Sequence, residues 1–343
     1  MFNHEGLCSL CAKQKAFVPA GEDKLKRIFF DAKAKKKEYD ALVPLSGGKD
    51  STFILHLAVN VYKLKVLTMT YDNGFLSPLA LENIQKAVKI SGVKHLFFRP
   101  DANIQKKVYG GMLLQSGDFC GACDIATKAS IWKTAVENSI PLVLYGTSPL
   151  EEDSFIPDSI QDIARCKYIL KKQGGLSDDA IRQFLIYPGL NLFKLSLYKK
   201  MGVFPKEVRP LFFIKNPGDK EMGETIAASL GWKDDTNREY SKHFDCTAEP
   251  LTNYIRHKIY GYERRLCQYS NMVRRGEITK EKAMALYAAD NVDNIPANGT
   301  EVLNYLQLTT NDLQTIVQIP ALKFESKTSF YNTLFAKCRK WIV

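Results

Sequence analysis

Ser46-Gly47-Gly48-Lys49-Asp50-Ser51 brings together the groups that a phosphate asks of a protein. Two glycines let the backbone approach the anion closely. A helix starting there supplies free N–H groups and the positive end of its dipole. The hydroxyls of Ser46 and Ser51 add donors, and the Lys49 ammonium adds charge. The Asp50 carboxylate suits a Mg²⁺ ion that bridges phosphates. The spacing is not that of the G-x-x-x-x-G-K-S/T loop. Cysteines are the second chemical feature. Cys8 with Cys11 and Cys120 with Cys123 form Cys-x-x-Cys pairs, while Cys166, Cys246, Cys267 and Cys338 stand alone. The opening MFNHEGLCSL lacks a signal-peptide pattern, so paired cysteines argue for metal or redox chemistry over a disulfide framework. Cys8, Cys11, Cys120 and Cys123 together offer the four thiolates of a tetrahedral zinc site.

These residues need elements to position them. YDALVPL, residues 39–45, is a short apolar run that predicts a buried strand ending at the phosphate loop. STFILHLAVNVYK, residues 51–63, has helical apolar spacing. Strands are predicted at 65–70, 94–98 and 141–145, with helices at 79–91 and 125–138 between them. Strand–helix alternation of this kind predicts an α/β fold with a parallel, doubly wound sheet. Ligands of such sheets bind at the carboxyl ends of the strands. Two further loops therefore join the candidate site: Tyr71-Asp72-Asn73 after the second strand and Gly146-Thr147-Ser148 after the fourth. A fifth apolar run, Leu211–Ile214, reads as the last strand, and a helix is predicted over 220–230. Residues 154–205 read as an insertion of short helices.

The 343 residues suit one large α/β domain with appendages. The expected divisions are a small cysteine-containing appendage at 1–38, the nucleotide domain at 39–235 and a helical C-terminal region at 236–343. The net charge of +11 favours anionic partners. The lysines and arginines are scattered, and the run Lys33-Ala34-Lys35-Lys36-Lys37 reads as a solvated helix face, so nucleic acid is not the expected partner. No run reaches the length of a membrane span, and a cytoplasmic protein is expected.

The loop resembles the PP-loop, S-G-G-x-D-S, of the N-type ATP pyrophosphatase superfamily, with Lys49 in the variable position. The resemblance implies an adenine nucleotide alpha hydrolase-like fold, ATP and Mg²⁺ as cofactors, and cleavage of ATP between its α and β phosphates. It also implies that the three strand-end loops hold the nucleotide. A second resemblance rests on Gly231-Trp232-Lys233-Asp234, on Ser241-Lys242-His243-Phe244-Asp245-Cys246, on Tyr260-Gly261-Tyr262-Glu263-Arg264-Arg265 and on the string from Ser270 to Ala283. With the PP-loop and the cysteine pairs, this order is similar to the N-acetyl sugar amidotransferase family of bacterial surface-polysaccharide pathways. That family's activity implies adenylation of an N-acetyl group, displacement of AMP by ammonia, and a glutaminase subunit as the ammonia source. Lys215 is then placed to steady departing pyrophosphate, and His243 and Asp245 to bind sugar or transfer protons. A competing resemblance, to PP-loop tRNA thiolases, implies an iron–sulfur cluster on Cys120, Cys123 and Cys246 and a sulfur-transfer reaction.

Overall fold

The computed structural model describes residues 4, 11–12, 17–149, 163–173, 175–185, 201, 204–215, 217–235, 244–290 and 292–320. Five strands form one parallel sheet: β1 (Ala41–Pro44), β2 (Val66–Tyr71), β3 (Lys94–Phe98), β4 (Leu142–Leu144) and β5 (Lys206–Val208). Their spatial order is β3-β2-β1-β4-β5. Every pairing is parallel, with Ala41 opposite both Val66 and Leu142. The strand order therefore reverses at β1, and the crevice between the carboxyl ends of β1 and β4 is the position where such sheets bind ligands.

The predicted α/β class is the observed one. The central strands read as continuous apolar runs because both faces of the sheet are covered. Leu42 contributes to one core, whereas Ala41 and Val43 contribute to the other. One face carries α1 (Glu22–Ala34), α2 (Lys49–His56), α3 (Pro78–Ser91) and α8 (Asp219–Leu230). The opposite face carries α4 (Ala102–Ser116), α5 (Cys120–Glu137), α6 (Ile163–Gln173) and α7 (Asp178–Leu185). The two threonines inside β2 are satisfied: Thr68 Oγ1 donates to Lys94 O at 3.0 Å, and Thr70 Oγ1 donates to Leu45 O. Within the stretch expected as an appendage, α1 buries Leu25, Phe29 and Ala32 against the sheet.

Three elements differ from the sequence expectation, the first being α4, for which the sequence predicts no helix. The last strand is Lys206–Val208, and the apolar run after it is a 3-10 turn, Pro210–Phe212. Pro210 lacks the N–H that a ladder requires, so the strand must stop before it. Its charged residues fit an edge strand, where side chains reach water. The helix expected at 125–138 starts earlier, at Cys120, so that the Cys-x-x-Cys pair forms its first turn.

The C-terminal region adds α9 (Glu249–Tyr260), α10 (Arg264–Arg274), α11 (Lys280–Asp290), α12 (Gly299–Tyr305) and α13 (Thr310–Ile316). Leu251, Ile255, Val302, Leu303, Leu313 and Ile316 share a core with α4 and α5. Tyr269, Met272, Ile278 and Ala283 form a separate small cluster on α10, α11 and the connection between them. Among the described residues, no helix is long and apolar enough to cross a membrane.

Candidate active site

β1 ends at Pro44, and α2 begins at Lys49 with Gly48 as its N-cap residue. No side chain caps this helix, which leaves its first N–H groups for an anion. The loop between is held from within. Ser46 N donates to Ser51 Oγ at 3.2 Å, Gly48 N donates to Ser46 Oγ at 3.3 Å, and Ser51 Oγ donates to Gly48 O at 3.1 Å. It is also held from outside. The Gly47 carbonyl accepts from Trp232 Nε1 at 3.0 Å and from Asn83 Nδ2 at 3.3 Å. Gly47 has φ 82°, and a Cβ there would stand 2.3 Å from Ala80 O, so only glycine fits.

Lys49 is 6% exposed, and its ammonium pairs with Asp50 Oδ1 at 2.7 Å and Asp219 Oδ1 at 2.8 Å. Burial alone would depress its pKa; the two carboxylates outweigh burial and hold it above the usual lysine range. Asp234 lies in the same field. Its pKa is raised by burial and by Asp219, and Lys49 acts in the opposite direction. The loop after β4 closes against this group: a Cβ on Gly146 would stand 2.9 Å from the backbone of Asp50 and Ser51. Thr147 is half-buried and Ser148 is buried beside it. A nest of N–H groups, one cation and a partly exposed carboxylate suit a metal-bound polyphosphate better than a bare one.

The loop after β2 is built by Asx turns, with Asp72 Oδ1 accepting from Gly74 N at 3.1 Å and Asn73 Oδ1 accepting from Phe75 N at 2.8 Å. Asp72 also pairs with Arg99 at 3.3 Å. Tyr71 is buried, and burial raises its phenol pKa. The C-terminal region reaches this loop directly. Leu76 and Cys246 form an antiparallel bridge, and Ser77 N donates to Asp245 O at 3.1 Å. A Cβ on Gly48 would lie 3.5 Å from Asp245 Oδ2, so the Asp245 carboxylate stands at the entrance of α2.

The structure therefore gathers Ser46 to Ser51, Gly146 and Asp245 around one crevice, with Tyr71 to Asn73 on its β2 side. Lys215 is exposed in the connection to α8. His243 and Cys8 lie outside the described residues. Cys11 is half-buried near the N terminus. Cys120, Cys123 and Cys246 occupy one neighbourhood. Burial pushes the Cys120 thiol up to about 11 and the Cys123 thiol up to about 12. Burial also raises Cys246, and the nearby charges of Cys120 and Cys123 add to that rise. Among the described residues, no three His, Cys, Asp or Glu side chains stand as a metal-binding group. Sequence reasoning missed Asp219 altogether. It singled out Gly231-Trp232-Lys233-Asp234 as a string but gave Trp232 and Asp234 no role.

Comparison with known proteins adds to this picture. The chain is 22% identical over 151 residues to the uncharacterized protein MJ1599 of Methanocaldococcus jannaschii, a match covering 43% of this chain. The chain spans about half the length of that curated relative, 53%. Among solved structures it is similar to the U34-tRNA thiolase NcsA from Methanococcus maripaludis with its 4Fe-4S cluster. The TM-score is 0.38 and the identity 15%, covering 85% of this chain and 84% of that one. It is also similar to the NH3-dependent NAD synthetase from Campylobacter jejuni in complex with the nitrate ion. There the TM-score is 0.31 and the identity 14%, covering 63% of this chain and 96% of that one. Residues 236–338 match the family model described as LPS biosynthesis protein WbpG-like, C-terminal domain. The region similar to the WbpG-like C-terminal domain is thus the region that lays Asp245 against the phosphate loop and Cys246 against the segment after β2.

Proposed function

We propose that the chain is an ATP-consuming enzyme of the PP-loop class that acts as an N-acetyl sugar amidotransferase in surface-polysaccharide synthesis. The observation that carries this reading is the joining of two parts. A Ser-Gly-Gly-Lys-Asp-Ser loop lies at the switch point of a parallel sheet, and a WbpG-like C-terminal region packs onto it through Asp245.

An amide carbonyl is a poor electrophile, which is why ATP is needed. The acetamido oxygen attacks the α-phosphorus, and pyrophosphate leaves. Ammonia then adds to the imidate carbon, and AMP leaves with the former carbonyl oxygen. The acetamidine keeps the extra proton as an amidinium. In this scheme the N–H groups at the start of α2 and the Ser46 and Ser51 hydroxyls hold the phosphates. Asp50 would hold Mg²⁺, which neutralises phosphate charge when bound. Lys49 supplies fixed positive charge to the leaving pyrophosphate. Asp245 faces the crevice from the C-terminal side, where sugar would enter. The positive charge of the whole chain favours an anionic sugar or nucleotide sugar. Ammonia would come from a separate glutaminase subunit.

The test supplies ATP, Mg²⁺, ¹⁵N-labelled ammonium and a panel of N-acetylated nucleotide sugars and sialic-acid-like sugars. Label in the sugar with equimolar AMP is the expected result. AMP formation without label in any sugar would sink the amidotransferase reading.

A second reading has its own support. Cys120 and Cys123 influence Cys246 electrostatically, and three thiols suit a soft metal such as iron or zinc, although the three do not stand as a metal-binding group in this structure. This favours a sulfur transferase with an iron–sulfur cluster, or zinc shared with Cys8 and Cys11. Elemental analysis separates them. Iron with labile sulfide, lost in Cys246→Ser, supports the cluster. Zinc lost in Cys11→Ser supports the four-cysteine site.

A further inference from the structure

Lys49 has an unusual pair of partners. Its ammonium is nearly enclosed, yet it faces two carboxylates at almost equal distances, Asp50 at 2.7 Å and Asp219 at 2.8 Å. The two acids come from different places. Asp50 follows Lys49 in the loop and is the carboxylate that the proposed function gives to Mg²⁺. Asp219 comes from 170 residues downstream, in the first turn of α8, and is 43% exposed. There it is stabilised by the N-terminal end of its own helix dipole. The packing of α8 against α2 and α3, through Met222, Ile226 and Leu230, fixes where its first turn stands.

A buried ammonium cannot be left without a counter-charge at small cost. If Asp50 were the sole partner of Lys49, a divalent cation on Asp50 would have to share that carboxylate with the ammonium or displace it, and either weakens the cation's hold. With Asp219 present, Lys49 keeps a partner while Asp50 turns to the metal. We propose that Asp219 is a positioning residue that retains Lys49 in the phosphate loop and so releases Asp50 to a divalent cation. It acts through Lys49 and needs no contact with the nucleotide. This inference rests on the ATP-binding part of the proposed function, whichever group the enzyme transfers.

The experiment measures binding of a fluorescent, non-hydrolysable ATP analogue to the full chain as Mg²⁺ is titrated. Turnover is not required. Asp219→Asn is expected to raise the Mg²⁺ midpoint about tenfold, the scale of one well-placed charge pair. Affinity at saturating Mg²⁺ is expected to stay within about twofold of the wild type, because the loop itself is intact. Asp219→Glu is expected to recover most of the midpoint. In a Lys49→Met background, Asp219→Asn is expected to add no shift, since no ammonium then competes for Asp50. A merely structural role for Asp219 would lower affinity at every Mg²⁺ concentration and would persist without Lys49; either result overturns the inference. An unchanged midpoint in Asp219→Asn, with normal wild-type binding, also overturns it and leaves the proposed function standing. Absence of analogue binding by the wild type at any Mg²⁺ concentration removes the proposed function, and this inference with it.

Discussion

Gly47 shows how narrowly a single residue of the loop is specified. Its φ of 82° disfavours any side chain, and its surroundings leave no space for one. Its carbonyl is fixed by Asn83, within α3, and by Trp232, just after α8. Gly47→Ala combines strain with a backbone clash at Ala80. A loss of about 2 kcal/mol or more in unfolding free energy is expected, with analogue binding lost even where the protein still folds. Trp232→Phe is the gentler counterpart. It keeps an aromatic ring but loses part of the buried indole and one of two donors to the Gly47 carbonyl, so about 1–2 kcal/mol is expected, with weakened nucleotide binding. Denaturant titrations read both. Gly47→Ala with wild-type stability and binding would refute this account of the loop. Asp50→Ala is expected to abolish AMP release while circular dichroism stays that of the wild type. Turnover by that variant would remove Asp50 from the metal role.

At the scale of elements, the junction between α5 and α9 holds the two halves of the chain together. Asp118 accepts from Gly121 N at 3.1 Å, at the start of α5, and pairs with Arg256 of α9 at 2.5–2.7 Å. Both side chains are under one-tenth exposed. Arg256→Met leaves the Asp118 carboxylate buried with no counter-charge. A destabilisation of about 3–5 kcal/mol is expected, whereas Asp118→Asn combined with Arg256→Met should cost less than Arg256→Met alone. Calorimetry on the set checks this, and equal melting points for single variant and wild type would contradict it. The same scale explains what the sequence made legible. β1 to β4 were readable because each is an apolar run ended by a polar loop. β5 was not, because Lys206-Glu207-Val208 is short and charged. Helix α4 was hidden by Gly110 and Gly111 and a weak amphipathic pattern. Gly110 is there because a Cβ would stand 3.1 Å from Leu306 O, where the C-terminal region packs closely. The phosphate loop was legible because its residues are contiguous. Asp219 was not, because its role depends on a contact across 170 residues.

For the molecule as a whole, the far edge of the sheet carries a pH-dependent weakness separate from the active site. His95 lies on β3, where its Nδ1 is 2.9 Å from Thr68 Oγ1. Thr68 Oγ1 donates to Lys94 O, so Nδ1 carries the proton and donates to Thr68. Nε2 is then a bare acceptor, buried and without a hydrogen-bond partner. Burial lowers the pKa from 6.5 to about 4. The ring stays neutral in the folded protein while the unfolded chain takes up a proton below pH 6.5. The unfolded state therefore binds more protons in that interval, and stability rises with pH. The contribution is fully present above pH 6.5 and is lost as pH falls to about 4. At face value the shift corresponds to roughly 3 kcal/mol, and partial exposure of the ring reduces this to about 1–2 kcal/mol. The high positive charge of the chain adds repulsion over the same range, so one pH curve does not isolate the histidine. The difference between wild type and His95→Asn does. Asparagine keeps a donor near Thr68 and does not titrate, so the variant carries a constant offset at high pH. The expected result is a gap in unfolding free energy that shrinks or reverses by about 1–2 kcal/mol between pH 6.5 and 4. A gap that stays constant across that interval would show that His95 is protonated as readily in the fold as outside it.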